Sequence, residues 1–377
     1  MLNASAVLSK PSLDILSREE VLPISNSQYS SDFAKSVYNL LSAFPPAADP
    51  IAILRPNIRQ LPPGKAKRIL VTGGAGFVGS HLVDALLLMG HSVIALDNFV
   101  TGNRENLAHW EGYKDFQLVD HDVALPFIAD VDEIFHLACP ASPPHYQRDP
   151  VFTINTCTTG TMNMLKLAKD TGARFLLAST SEVYGDPLEH PQKETYWGNV
   201  NPIGPRACYD EGKRIAETLT YAFAGSQNVD VRVVRIFNTF GPRMDPDDGR
   251  VVSNFIIQAL RGTNITIYGD GSQTRSFQYV PDLVAGLIAV MGGNCVDPIN
   301  LGNPHEYTVK QLGDMIRENI NTKVGIRCLP AVVDDPQRRQ PDITRARKEV
   351  GWQPRYLLQD GLQETIKYFA KKLAATQ

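Results

Sequence analysis

The stretch Lys67-Arg-Ile-Leu-Val-Thr-Gly-Gly-Ala-Gly-Phe-Val-Gly-Ser-His-Leu82 constrains the fold more than any other part of the chain. Ile69, Leu70 and Val71 form a short apolar run suited to a buried parallel strand. Gly73, Gly76 and Gly79 follow three apart, and Phe77, Val78, Leu82, Leu86 and Leu87 then recur on one helical face. A strand that turns on glycines directly into a helix predicts a βα unit. Its helix N-terminus presents unpaired N–H groups and a partial positive charge to a phosphate. Gly73 suits the sharp turn, Gly76 a close approach of backbone to a pyrophosphate, and Gly79 close packing of helix on strand. The spacing is G-x-x-G-x-x-G, wider by one than G-x-G-x-x-G, with Gly74 as the extra glycine. Glycines alone are a weak signal, and a purely structural turn stands as the alternative.

The downstream sequence decides between these readings. Residues 91–96 read as a second strand that ends at Asp97. A carboxylate there reaches the ribose hydroxyls of an adenosine and repels a 2′-phosphate, which points to NAD rather than NADP. Further strands are expected at 116–119, 134–138, 174–178 and 229–236, and helices at 155–171 and 209–224. This alternation predicts an α/β, Rossmann-type doubly wound parallel sheet. Beyond Asn238, segments rich in Gly, Pro and Asp separate short elements, among them a buried helix at 283–291. The expected division is an extension at 1–65, largely disordered apart from one amphipathic helix at 32–44, then an NAD-binding Rossmann domain at 66–240. Residues 241–377 form mainly a smaller C-terminal substrate-binding lobe, with some return to the Rossmann domain.

Composition narrows the partners. A net charge of −3 demands no basic face, so nucleic acid is not expected. The five cysteines show no C-x-x-C pair and no metal-spaced cluster with the histidines, which fits reduced thiols and no metal. No apolar run reaches the length of a membrane span and no signal peptide is apparent, so a cytoplasmic location without membrane contact is expected.

The chemistry is concentrated at Tyr209-Asp-Glu-Gly-Lys213, which opens a helix. Tyr209 and Lys213 lie one turn apart on one face, so the ammonium and a cationic nicotinamide ring would lower the phenol pKa. Such a tyrosine can take a proton from a sugar hydroxyl, and Thr180 at a strand mouth can hold the same hydroxyl. Read alone, the pair is an ordinary helix pair.

Gly73 to Gly79, Ser179 to Gly185 and Tyr209 to Lys213 resemble the extended short-chain dehydrogenase/reductase superfamily acting on nucleotide sugars. Within it, His136-Leu-Ala-Cys-Pro-Ala-Ser-Pro-Pro-His-Tyr146, Ser179-Thr-Ser-Glu-Val-Tyr-Gly-Asp186, Cys208-Tyr-Asp-Glu-Gly-Lys213 and Gly271-Ser-Gln-Thr-Arg-Ser-Phe-Gln278 resemble the UDP-glucuronate decarboxylase family. The resemblance spans about residues 66–372 and leaves the extension outside. It implies NAD-dependent decarboxylation of UDP-glucuronate to UDP-xylose and carbon dioxide through a 4-keto sugar, with the bound NAD recycled, in a homodimer.

The resemblance also implies roles. Tyr209 is the base, Lys213 its partner and Thr180 the hydroxyl anchor, while Glu182 and Arg339 stand by the sugar carboxylate. The cofactor is implied to meet Gly73, Gly76, Phe77, Val78, Gly79, Asp97, Asn98, Asp122, Val123, Leu137, Ala138, Ser179, Tyr209 and Lys213. The substrate is implied to meet Tyr146, Glu182, Asn238, Arg243, Asn254, Arg275 and Arg339. Bland alternatives stand beside these: Arg338 and Arg339 also offset the neighbouring acids, Glu182 also orients its loop, and His81, His136 and His145 read as structural.

Three rivals are weighed. A 4,6-dehydratase needs an acid to protonate the departing hydroxyl, and that group carries an Asp between the Thr and the Glu, where this chain has Ser181. A 4-epimerase needs its intermediate to rotate and no Arg at the carboxylate, and the Arg339 region argues against it. The complete Thr180, Tyr209 and Lys213 set argues against a non-catalytic NAD(H)-sensing protein.

Overall fold

The computed structural model describes residues 58–331 and 337–375. The extension up to residue 57, with the helix expected at 32–44, lies outside the described residues. The first half runs β1 (Arg68–Thr72), α1 (Phe77–Leu88), β2 (Ser92–Asp97), β3 (Phe116–Asp120), β4 (Glu133–His136), α2 (Pro143–Arg148), α3 (Pro150–Asn155), α4 (Thr161–Thr171), β5 (Arg174–Thr180), α5 (Ala207–Gln227) and β6 (Val231–Ile236). Then follow β7 (Thr239–Phe240), α6 (Val251–Leu260), β8 (Ile265–Tyr268), β9 (Thr274–Ser276), β10 (Gln278–Tyr279), α7 (Val280–Gly292) and β11 (Ile299–Leu301). The last elements are β12 (Glu306–Thr308), α8 (Val309–Ile320), β13 (Ile326–Leu329), β14 (Arg338–Arg339), α9 (Thr344–Val350) and α10 (Leu358–Ala375).

Seven strands form one parallel sheet in the order β3-β2-β1-β4-β5-β6-β11. The order reverses between β1 and β4, which opens a crevice beyond their carboxyl ends. Both faces of the sheet are dry, and the strands divide their side chains between two cores by simple alternation. Ile69, Val71, Val93, Ala95 and Leu176 enter one core with α1 and α7. Leu70, Ile94, Leu96, Phe175 and Leu177 enter the other with α4 and α5. This is why the strands read as continuous apolar runs rather than as alternating ones. The α/β doubly wound fold expected from sequence is the fold found.

One expected helix differs. Residues 155–171 are not a single α-helix, because a π-helical turn at Thr156–Gly160 separates α3 from α4. The Thr156 and Thr158 hydroxyls donate to the carbonyls of Phe152 (2.9 Å) and Ile154 (2.8 Å), competing there with the backbone N–H groups.

After β6 the chain builds shorter sheets: β10-β7, β12-β9-β14 and β13-β8. Between them, α7 and β11 return to the main sheet, and Leu283, Leu287 and Leu301 join its first core. The C-terminal segment folds back onto α7. There the Asp282 carboxylate accepts the N–H groups of Arg355 (3.0 Å) and Tyr356 (3.1 Å), and Trp352 Nε1 donates to the Asp282 carbonyl (2.9 Å). Burial pushes the Asp282 carboxyl up to about 6, against the pull of those two N–H groups.

Candidate active site

The glycine turn is shaped by what a side chain would strike. Gly73 has φ +68°, and a Cβ there would lie 3.0 Å from the Ala138 backbone on β4's side of the crevice. At Gly79 it would lie 2.0 Å from the Gly73 carbonyl oxygen, so this position lets α1 start against the turn. The extra glycine, Gly74, is imposed by β2, because its Cβ would fall 2.8 Å from that of Ala95. Gly76 faces only the Gly73 oxygen at 3.1 Å and caps α1 without a side-chain hydrogen bond. The first turn of α1 therefore carries uncapped N–H groups and no acidic residue, the arrangement a pyrophosphate requires.

Asp97 ends β2 at the same crevice and is 7% exposed. Its Oδ2 accepts from Ala75 N (3.0 Å) and its Oδ1 from Phe99 N (2.9 Å), which fixes the carboxylate while leaving further lone pairs for ribose hydroxyls. Burial pushes this carboxyl above its ordinary value, and the two N–H groups restrain the rise. Gly73, Gly76, Phe77, Val78, Gly79, Asp97, Asn98, Val123, Leu137 and Ala138 all line one cleft. Asp122 stands behind it, accepting from Asn98 Nδ2 (3.0 Å) and from Ala124 N (2.8 Å). The donors, the bare turn and the acid fit NAD. The Ser179 hydroxyl is committed within the fold: it donates to Glu217 (2.6 Å), which is held by Arg235 (2.8 Å). Arg243, expected on the substrate side, instead lines this dinucleotide cleft, where the buried Asp84 of α1 holds its guanidinium at 2.8 Å.

β5 and α5 bring the reacting groups together. β5 continues two residues beyond its expected end, carrying Ser179 and Thr180 to the rim. The Thr180 hydroxyl hydrogen-bonds the Tyr209 phenol and also accepts from Glu182 N (3.2 Å), so it fixes both neighbours. Lys213 is buried on the same face of α5, donates to the Ala178 carbonyl (2.9 Å) and lies 5.9 Å from the Tyr209 ring centre. In the protein alone burial holds the Tyr209 phenol well above 10, and the nearby Cys139 adds to this, while Thr180 opposes it. The lowering expected from sequence is thus not supplied by Lys213 alone. Tyr146 stacks on Tyr209 with ring centres 5.1 Å apart and planes 7° from parallel, and its buried hydroxyl has no hydrogen-bond partner.

Glu182 follows Thr180 in a short 3₁₀ turn and meets Arg339 of β14 through both guanidinium nitrogens; the Nη2–Oε2 distance is 2.9 Å. Arg206 Nη2 reaches the same Oε2 at 2.5 Å. Burial would raise the Glu182 carboxyl, but Arg339 and Arg206 outweigh it and hold the group at about 2. Arg338 and Arg339 point to opposite sides of β14; the first is exposed and the second is 3% exposed. β14 pairs with β9, which places Arg339 opposite Arg275. Asn238 sits at the end of β6 with a buried Nδ2 that has no hydrogen-bond partner, whereas Asn254 donates to the Gly249 carbonyl (3.0 Å). Neither Asn254 nor Arg275 lines the dinucleotide cleft.

Three residues of this site were not singled out from sequence. Arg206 and Asp210 flank Tyr209 at helical spacing, an (i, i+4) ion-pair pattern that could have been read, and their closest approach is 3.9 Å. Gln192 gives no sequence signal. Fully buried, it accepts Gln340 N on its side chain (2.8 Å) and exchanges backbone bonds with Gln340 and Asp342, which fixes the strand carrying Arg339. His81, read as packing, hydrogen-bonds the Pro242 carbonyl (3.0 Å) and ties α1 to the loop of Arg243.

The family model described as GDP-mannose 4,6 dehydratase matches residues 70–365. UDP-glucuronic acid decarboxylase 1 of Danio rerio is 57% identical over 318 residues, which is 84% of this chain and 76% of that protein. Among solved structures, UDP-glucose 4-epimerase of Thermotoga maritima with UDP-glucose is 31% identical with a TM-score of 0.73, covering 81% of this chain and 99% of that one. UDP-glucuronic acid 4-epimerase of Bacillus cereus, in complex with UDP-glucuronic acid and NAD, is 27% identical with a TM-score of 0.72, covering 81% and 99%. The chain belongs to the UDP-glucuronic acid decarboxylase family, on the scaffold that nucleotide-sugar epimerases and dehydratases share.

Proposed function

We infer that this chain is an NAD-dependent decarboxylase that converts UDP-glucuronate to UDP-xylose and carbon dioxide. The observation that carries the reading, beside the family, is the Arg339–Glu182 pair set next to Thr180 and Tyr209. It puts a carboxylate-binding guanidinium beside an alcohol-oxidising pair. The Gly73–Asp97 cleft would hold NAD, which when bound would supply the hydride acceptor for C4 of the sugar. Thr180 and Tyr209 hold the C4 hydroxyl, and Tyr209 removes its proton, with Lys213 fixed on the same face. The resulting ketone stands β to the carboxylate, so the C5–carboxylate electron pair can pass into an enolate as carbon dioxide leaves. Arg339 orients the carboxylate before cleavage, and C5 is protonated before the ketone is reduced. Ser181, where dehydration would need an acid, is a buried hydroxyl, an alcohol far too weak as an acid to protonate a departing hydroxyl at neutral pH.

In this reading residues 66–240 bind NAD and much of 241–377 binds UDP-sugar, with Asn238, Asn254 and Arg275 on the nucleotide side and Tyr146 along the sugar. The enzyme is a cytoplasmic homodimer. No described helix is long and apolar enough to cross a membrane, and Val151 and Ile154 of α3 and Ile215 of α5, on two helices that pack together, leave apolar side chains exposed for a second copy. The test is incubation with UDP-glucuronate, following carbon dioxide and the sugar product. Equal amounts of carbon dioxide and UDP-xylose with no net NADH are expected. UDP-galacturonate without carbon dioxide would make the chain an epimerase.

A further inference from the structure

Loss of carbon dioxide from a uronate consumes a proton, because a carboxylate departs as a neutral molecule and a C–H bond replaces it. The proton that Tyr209 removes from the C4 hydroxyl returns to that oxygen, so C5 needs a second one. Asp210, next to Tyr209 on α5, is placed to hold it. It is 6% exposed and its Oδ1 is buried without a hydrogen-bond partner. Its Oδ2 lies 3.9 Å from Arg206 Nε, an N–H that also has no hydrogen-bond partner, while the far side of the same guanidinium bonds Glu182.

The charged and titratable groups that act electrostatically on Asp210 are Glu182 after β5, Arg339 on β14, Tyr146 on α2, Arg206 at the start of its own helix, and Cys208 and Glu211 on that helix. Glu211 is half exposed at the surface with Arg214 (3.4 Å). That leaves Arg206 and Arg339 against Glu182 and Asp210. With both carboxyls ionised the cluster is neutral, and a bound uronate leaves an unmatched negative charge in a buried site. With one protonated the cluster is positive and matches the uronate. Glu182, tied to both guanidiniums, is the one that stays ionised. Burial, then the charge of Glu182, pushes Asp210 up to about 7.

We propose that Asp210 is the proton reservoir of the reaction: it carries a proton while the uronate carboxylate is bound, and passes it by way of Glu182 to C5 as carbon dioxide leaves. The balance is simple. The C5–carboxylate bond breaks and its electrons enter the enolate. The ionised Glu182 takes the proton of Asp210 and hands it to the enolate carbon to form C5–H, returning to its carboxylate, and Asp210, left ionised, takes a proton from solvent when the next uronate binds. No oxidant or reductant enters. Asp210 acts through Glu182 and is a positioning residue in this scheme.

The inference rests on the decarboxylase reading, and the experiment separates the two. In NAD-loaded Tyr209→Phe protein, which binds without turnover, the heat of UDP-glucuronate binding is measured at about pH 8 in phosphate and in Tris, whose ionisation heats differ. The difference counts protons taken up. Close to one proton per site is expected with UDP-glucuronate, almost none with UDP-xylose, and a loss of the uptake in Asp210→Asn. In the Tyr209 background, UDP-glucuronate binding without uptake overturns the proposal with no change at Asp210 needed. Uptake that survives Asp210→Asn overturns it as well. Carbon dioxide release by the wild-type preparation is followed in parallel, and its absence would refute the decarboxylase reading itself.

Discussion

Arg339→Ala should separate the oxidation step from carbon–carbon cleavage and should also destabilise the fold by a predictable amount. Arg339 is 3% exposed and makes a two-point contact with Glu182, so its removal leaves a buried carboxylate with Arg206 as its remaining guanidinium. Breaking a buried pair costs about 3–5 kcal/mol, and the surviving Arg206 contact places this case near 3 kcal/mol. The Glu182 carboxyl then rises from about 2, since burial is opposed by one cation instead of two. Glu182→Gln in the same protein removes the undercompensated buried charge, so the double variant should recover roughly 1–3 kcal/mol relative to the sum of the single ones. Carbon dioxide release should behave otherwise. It should fall about 100-fold or more, about 2.7 kcal/mol of barrier, in Arg339→Ala and Arg339→Lys, because a point charge does not replace a planar fork. The double variant should not recover it. Arg338→Ala, at an exposed position, should stay within about 0.5 kcal/mol of wild type. Urea unfolding gives the stabilities, and single-turnover mixing with simultaneous NADH absorbance and carbon dioxide detection gives the chemistry. A double variant that regains cleavage along with stability would refute the reasoning, since Arg339 would then serve only to hold Glu182.

Tyr209→Phe should retain its circular dichroism spectrum and lose nearly all turnover; activity within a few-fold of wild type would remove Tyr209 from the base role. Asp97→Ala should weaken NAD and relax discrimination against NADP, read by fluorescence titration with both cofactors; equal preference before and after would place the ribose contact elsewhere. His81 carries a pH signature. Burial, then Arg243, holds it at about 3 against 6.5, so it folds neutral and the unfolded chain binds the extra proton. Its contribution is complete above about pH 6.5 and declines as the pH falls toward 3, by about 1.4 kcal/mol per unit. His81→Gln, which keeps an N–H for the Pro242 carbonyl, should flatten urea stability between about pH 6 and 4 by that slope.

The scaffold was legible because its signals are local. Ile69 to Val71, the three spaced glycines and Asp97 each report on neighbours within one βα unit, and packing of both sheet faces produces the apolar runs directly. Tyr209 and Lys213 were legible for the same reason, one turn apart on α5. What escaped depends on partners distant in sequence. Arg243 was assigned to the substrate because nothing near it shows that Asp84, on α1, would claim its guanidinium. The Ser179–Glu217 bond was out of sight in the same way, with 38 residues between its partners. Gln192 was invisible, since an amide that reads the backbone of Gln340 leaves no pattern in composition or spacing.

The Glu182–Arg339 pair joins residues 157 apart, whereas Arg206 is 24 from Glu182. On a ribosome adding roughly 5–20 residues per second, Arg339 emerges about 8–30 s after Glu182. For most of that interval the dinucleotide turn, Thr180, Tyr209 and Lys213 all exist, and Glu182 has Arg206 as its early counter-charge. The nascent chain thus carries Thr180, Tyr209 and Lys213 well before Arg339. Arg206 keeps the waiting carboxylate neutralised until the final stretch of synthesis delivers the second cation, the one proposed to act in cleavage.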